Sequence, residues 1–239
     1  VNKCYDELNL TQPELIKAIH EEYVDAGAQI VETNTFGANR FRLEKHKLSD
    51  KREVINKSGV KLALEAADGK AYVAGSMGPL GIKIEPWGET SSREAMDAFI
   101  EQAEALEAAG VDLFLIETFS DVRELELAVK AVKEVSDLPV IASLTLEEDG
   151  RTSYGVGLEE ALARLVGLAV TAVGMNCVIG PKLMLDFLKR AVACTNVPVA
   201  LMPNAGLPQR IGGRTFYMAT PEYFGVYAKR FLEAGAGII

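Results

Sequence analysis

The chain has 239 residues, 49% of them hydrophobic, and a formal net charge of -9. That length buries one large core, while the acidic balance leaves no basic stripe for a phosphate backbone and argues against nucleic-acid binding. The longest apolar runs, such as Val197 to Met202, fall far short of the roughly 20 residues a spanning helix needs, and no charged-then-apolar leader opens the chain, so no membrane association is expected.

Helical periodicity alternates along the chain with short runs rich in Val, Ile and Leu that lack polar alternation, the pattern of parallel strands covered on both faces. The first helix is expected over Pro13 to Ala26, followed by a strand over Gln29 to Thr33. A helix over Lys51 to Ala67 precedes a strand over Ala71 to Ser76, and a helix over Arg93 to Ala109 precedes one over Asp112 to Glu117. Next come a helix over Asp121 to Val135 with a strand over Pro139 to Leu146, and a helix over Leu158 to Leu168 with a strand over Thr171 to Asn176. The last pieces are a helix over Pro181 to Ala193, a strand over Val197 to Met202, a helix over Pro221 to Ala234, and Gly237-Ile238-Ile239 as the opening of another strand. Thr11 with Glu14 reads as a capping box, Ser120-Asp121 as a helix start, and Thr220 as the cap before Pro221. Gly27, Gly110 and Gly235 follow alanine-rich helix ends, where a glycine stop belongs.

This reading has seven helices and seven strands, beginning with a helix and stopping as a strand opens. A strand before Val1 and a helix after Ile239 would make about eight of each, the number that closes a parallel sheet into a barrel. The expectation is therefore an α/β protein, a (β/α)₈ barrel in one domain over residues 1–239, incomplete at both ends. The competing doubly wound sheet calls for a Gly-x-Gly-x-x-Gly turn after an early strand, and none is present.

In such a barrel the chemistry sits at the carboxyl ends of the strands. Those ends read Glu32-Thr33-Asn34-Thr35, Ser76-Met77-Gly78-Pro79, Glu117-Thr118, Thr145 with Glu147, Asn176-Cys177 and Asn204. A mouth lined by Glu117, Asn34, Asn176 and Asn204 suits a small zwitterion, the carboxylate taking an ammonium and amides taking a carboxylate. Taken singly, Thr and Asn at strand ends usually cap a helix or close a turn. Glu117 is different, because directly after Leu113-Phe114-Leu115-Ile116 it lies at the edge of the core, where a carboxylate needs a cation or a ligand.

Cys177 also stands out. Three widely spaced cysteines do not form a disulfide framework and fit a reducing, cytoplasmic setting. A nucleophilic cysteine wants a histidine base, yet His20 falls on the first helix and His46 in a loop. No lysine ends a strand, which argues against a Schiff-base aldolase. As a zinc ligand Cys177 needs further donors, and the other two cysteines, Cys4 before the first helix and Cys194 at the end of a later one, read as structural.

Glu32-Thr33-Asn34-Thr35-Phe36-Gly37-Ala38-Asn39, Ile116-Glu117-Thr118-Phe119, Gly174-Met175-Asn176-Cys177 and Pro203-Asn204-Ala205-Gly206, in that order, resemble the homocysteine S-methyltransferase domain. That family includes the homocysteine-binding module of cobalamin-dependent methionine synthase and the betaine enzyme. Gly81-Ile82-Lys83-Ile84-Glu85-Pro86-Trp87-Gly88 is similar to the form fused to a methylenetetrahydrofolate reductase module in some bacteria.

The resemblance implies a zinc enzyme on a (β/α)₈ barrel that transfers a methyl group to the homocysteine thiol and forms methionine. It implies three cysteine ligands, of which Cys177 matches the first. The other two, a Gly-Gly-Cys-Cys pair after the last strand, lie beyond Ile239, and the Asp-Gly motif of the first strand is absent as well. The chain as it stands is therefore expected not to hold catalytic zinc. Glu117 would bind the substrate ammonium, Thr33, Asn34, Thr35 and Phe36 would line the pocket, and Asn176 and Asn204 would orient the metal or the sulfur. Relatives take the methyl group from methyl-folate, methylcobalamin, S-methylmethionine, S-adenosylmethionine or betaine, so a folate or cobalamin domain is an expected partner in the full-length protein. Two rival readings stay open: another barrel enzyme of the aldolase or lyase type acting on a small acid, and a non-catalytic homocysteine-binding module.

Overall fold

The computed structural model describes residues 3–177, 180–205, 209–216 and 219–239. It divides into two compact units, one of Val1–Ile116 with Glu124–Val140 and one of Glu117–Arg123 with Ile141–Ile239. The chain passes between them three times, within a strand, within the following helix and at the start of the next strand.

The first unit begins with a short helix α1 (Leu8–Thr11) and the amphipathic α2 (Pro13–Asp25), then β1 (Ile30–Glu32). After a short α3 (Arg40–Glu44) and a 3₁₀ turn at Ser49–Lys51 come α4 (Arg52–Ala67), β2 (Tyr72–Met77) and α5 (Ser92–Ala109). Strand β3 (Leu113–Phe119) and helix α6 (Val122–Val135) cross the division. β1, β2 and β3 pair in parallel, with Val31 opposite Val73 and Met77 opposite Ile116, and the Phe114 N–H donates to Pro139 O at the start of the next strand. Phe99, Phe114, Leu43, Ile55 and Ile116 are fully buried here.

The second unit takes the end of β3 into β4 (Val140–Leu144), α7 (Leu158–Val166), β5 (Ala172–Asn176), α8 (Pro181–Cys194), β6 (Val199–Met202) and α9 (Pro221–Glu233). β4, β5 and β6 are again parallel, with Ser143 opposite Gly174 and Asn176 opposite Met202, and Thr145 N–H donates to Phe119 O beside them. All five residues of β4 and of β5 are buried, as strands covered on both faces must be. Ile238 bridges in parallel to Ala200, so the final Gly-Ile-Ile does begin to pair as a strand. Strand order follows chain order in each unit, which is the βα repeat anticipated from the periodicity.

Three local features depart from the reading of the sequence. Thr11 does not cap α2: it is the last residue of α1, its hydroxyl donates back to Glu7 O at 3.2 Å, and the cap position falls to Gln12 without a side-chain bond. The capping box is instead at α5, where Ser91 and Glu94 bond each other's backbone N–H groups. An antiparallel hairpin, β7 (Gln209–Ile211) with β8 (Arg214–Phe216), interrupts the repeat after β6. It turns through Gly212 and Gly213 at φ 58° and 78°, the positive-φ pair that a two-residue hairpin turn demands. The other helix signals hold: Thr220 accepts from Tyr223 N–H, Asp121 from Arg123 N–H, and Gly27, Gly110 and Gly235 all have φ near 95°.

Ile16, His20 and Val24 form the buried stripe of α2, and His20 Nε2 is buried without a hydrogen-bond partner among the described residues. Burial therefore holds the imidazole below its usual pKa. A group whose folded-state value is depressed binds its proton more tightly when unfolded, so the stability it supports is present above the unfolded value of about 6.5 and is lost progressively as pH falls from there through the lower folded-state value. Denaturation midpoints should drop as pH is lowered from about 7.5 to about 5.5, and His20→Phe should flatten that drop. An unchanged slope in the variant would assign the dependence elsewhere.

Candidate active site

Asn176, the last residue of β5, is 3% exposed and stands at the centre of a polar cluster wholly within the second unit. Its Oδ1 accepts from Thr118 N–H at 2.9 Å and from the Ser143 hydroxyl at 3.0 Å. Its Nδ2 donates to Glu117 Oε2 at 2.8 Å and to Thr118 Oγ1 at 2.6 Å. Two acceptor bonds on one side and two donor bonds on the other fix which way the amide points. Parallel register makes this possible, because Ser143 sits opposite Gly174. A Cβ at Gly174 would lie 3.0 Å from Ser143 Oγ and 3.1 Å from Ala200 O, so the glycine of Gly-Met-Asn-Cys makes room for the hydroxyl that holds Asn176.

Both strand ends in this cluster carry a backbone in the left-handed region, Thr118 at φ 65° and Cys177 at φ 54°. Such a conformation is an outlier for a β-branched threonine and costs on the order of 1–3 kcal/mol, so the surroundings must impose it. At Thr118 the restraint is visible, since its N–H and its Oγ1 are both tied to Asn176. The Thr118 hydroxyl has one proton and two acceptors in reach, Glu117 Oε2 at 3.3 Å and Cys177 Sγ at 3.9 Å. Cys177 itself is exposed and free, and Thr145 Oγ1 donates to its carbonyl at 3.4 Å. The half-buried Glu117 carboxylate and the exposed Cys177 sulfur thus share Thr118 as a neighbour, and Asn176 orients the acid.

Asn204 lies exposed two residues beyond β6 and takes no part in this network, and Gly206 of the same motif lies outside the described residues. Cys4 packs against Ala38, Leu43, Leu48 and Ile55 in the first unit, and the Cys194 thiol donates to Ala191 O at 3.3 Å at the end of α8. The Cys194 thiol is thus engaged within its own helix end, whereas Cys4 shares a cavity with Asn34 and Phe36 after β1 and its thiol donates to Asp6 Oδ2 at 3.7 Å. Among the described residues no group of three or more His, Cys, Asp or Glu is placed to hold a metal ion.

The four residues after β1 belong to the first unit, where their side chains hold the loop itself. Thr33 and Thr35 hydroxyls bond each other at 2.6 Å, Thr35 donates to Ser76 O, and Thr33 accepts from Ser76 N–H, so both hydroxyls are used. Asn34 Nδ2 donates to Tyr5 O and to Asn9 Oδ1, while Asn9 returns a bond to Asn34 O. The Phe36 ring packs against Gly78, where a Cβ would come within 2.4 Å of it, and has the Arg42 guanidinium 5.1 Å from its centroid.

A parallel βα repeat with polar groups at the carboxyl ends of its strands is the pattern of the (β/α)₈ class. The metallated form of the homocysteine methyltransferase MmuM from Escherichia coli has this fold: it superposes with a TM-score of 0.82 over 98% of this chain and 81% of that one, at 25% identity. Residues 2–239 match the family model for homocysteine S-methyltransferase. Methionine synthases of Mycobacterium leprae and Mycobacterium tuberculosis are 37% and 36% identical to it over 216 residues, 86% of this chain. The chain spans 18% of the length of those two proteins. It belongs to the homocysteine S-methyltransferase family.

Replacing Asn176 by leucine should destabilise the protein by about 2–4 kcal/mol, because it strands the Thr118 N–H and the Ser143 hydroxyl in a buried place. Ser143→Ala, which leaves Asn176 its other three bonds, should cost about 1 kcal/mol. Equal losses on urea denaturation would show that the amide is not the hub of the cluster.

Proposed function

We propose that this domain binds homocysteine through Glu117 and positions its thiol beside Cys177 for methylation to methionine. The observation that carries the reading is the joint presentation of the Glu117 carboxylate and the Cys177 sulfur around Thr118. A carboxylate oriented by a buried amide is a ready partner for a substrate ammonium, and a charge-assisted bond is about twice as strong as a neutral one. In the transfer the substrate sulfur forms a bond to the methyl carbon, the bond from that carbon to its donor breaks, and the thiol proton leaves. The chain's part is to hold the amino acid at one end so that the sulfur end points one way. Thr33, Asn34, Thr35 and Phe36 would contribute the shape of a pocket wall, their polar atoms being engaged in the loop, and Asn204 would be free to reach ligand.

Zinc belongs to this reading through the family. A zinc ion would remove the thiol proton of a coordinated substrate and leave a thiolate. Cys177, exposed and a soft donor, suits one ligand position, but the described residues supply no set of three and do not make a complete centre. The expectation is that Cys177 is one of several ligands in the full-length protein, and that a folate- or cobalamin-carrying domain, or a small methylated donor, brings the methyl group.

Two experiments on the full-length protein test the reading. Glu117→Gln should raise the homocysteine KM by about 30-fold, equivalent to about 2 kcal/mol, and the KM for the methyl donor should stay the same. An unchanged homocysteine KM removes the ammonium assignment. Cys177→Ala should lose bound zinc together with turnover, and full zinc occupancy in that variant refutes its role as a ligand.

A further inference from the structure

Lys3, Arg42, Lys45 and His46 line a cavity of about 500 Å³ in the first unit, with Asp6 and Phe36 among the other walls. The basic lining runs against a chain whose net charge is -9. Two of the cations are held in place by backbone carbonyls: Arg42 Nε donates to Pro79 O at 2.6 Å and Lys45 Nζ to Gly81 O at 2.7 Å. Both nitrogens lie 3.3 Å from the point where a Cβ would stand at Gly81, so they can be no further apart than twice that distance. Gly81 is at φ 74° and has no side chain to separate them.

Each anchor uses a single donor. A guanidinium has four N–H groups besides Nε–H, and an ammonium has two besides the one engaged. Two like charges this close repel, and an anion between them relieves the repulsion. The carboxylates nearby do not fully answer this need. Asp6 and Glu124 act on Arg42, but Asp6 is already committed, accepting Gly37 N–H at 2.9 Å and the Cys4 thiol at 3.7 Å. Burial also pushes the Asp6 carboxyl above its usual pKa, which weakens it as a counter-charge. Lys45 is exposed and has no carboxylate partner among the described residues.

We propose that this cavity is a binding site for a small organic anion, whose phosphate or carboxylate group is gripped by Arg42 and Lys45 while Lys3 and His46 flank it. The volume exceeds that of a bare inorganic ion and leaves room for a short carbon body against the Phe36 wall. The site depends on none of Glu117, Asn176 or Cys177, although Asn34 and Phe36, proposed above as pocket walls, also line it; its cationic grip, tested through Lys45, is independent of the methyl transfer.

Isothermal titration of the full chain with inorganic phosphate and, separately, with citrate, at constant ionic strength, tests it. Saturable binding of at least one is expected, weakened about fivefold or more in Lys45→Gln and in Arg42→Gln, and unchanged in Lys61→Gln, which removes an exposed charge on α4. Whichever anion binds identifies the group the site takes. Arg42 also ties α3 to the loop after β2 through Pro79 O, so the exposed Lys45 variant decides the matter if Arg42→Gln fails to fold. The absence of saturable binding with either anion, or an equal loss in Lys61→Gln, overturns the proposal.

Discussion

One amide organises the polar cluster at the ends of β3 and β5. Asn176 ends a fully buried strand and spends its carbonyl oxygen on Thr118 N–H and Ser143, and its nitrogen on Glu117 and the Thr118 hydroxyl. Neutral hydrogen bonds contribute only about 1 kcal/mol each in net terms, but leaving such groups buried and unsatisfied costs more. Thr118 and Glu117 at the end of β3 are therefore coupled to the end of β5, and the strained backbone of Thr118 persists because its N–H and hydroxyl are both tied to Asn176. A carboxylate that could have turned to solvent is instead aimed beside a thiol.

The surrounding fold serves that geometry. Parallel strands with both faces covered put their carboxyl ends on one side, and a register that sets Ser143 against Gly174 lets a hydroxyl pass where any other residue would bring a Cβ into it. The motif Gly-Met-Asn-Cys thus has a separate physical duty at three of its positions: space at Gly174, orientation at Asn176, and an exposed sulfur at Cys177. Met175 is fully buried and packs in the core.

Much of this was legible in the residues. Runs such as Val140 to Leu144 and Ala172 to Asn176 announce covered strands through their unbroken apolar character, and the glycine stops and the Thr220–Pro221 start follow from local chemistry alone. The site was legible as a set of residue types at strand ends. Its wiring was not, because Asn176 and Glu117 are 59 positions apart and meet only through the sheet. Nothing in a threonine or a cysteine advertises a positive φ, since both residue types ordinarily avoid it. Thr11 was misread for a simpler reason: a four-residue helix precedes α2, and a hydroxyl that would serve as a cap bonds back into that helix. In the loop after β1 the same residue types that mark a pocket, Thr33, Asn34 and Thr35, turned out to hold the loop together.

The central claim is that Asn176 acts on substrate through Glu117. A double-mutant cycle on homocysteine binding, measured by titration calorimetry with the full-length wild type, Asn176→Ala, Glu117→Gln and the double variant, tests it most directly. The account predicts that Asn176→Ala weakens binding in the wild-type background and has little further effect once Glu117 is glutamine. Losses that simply add would contradict it, because the amide would then be acting by a route that does not pass through the acid.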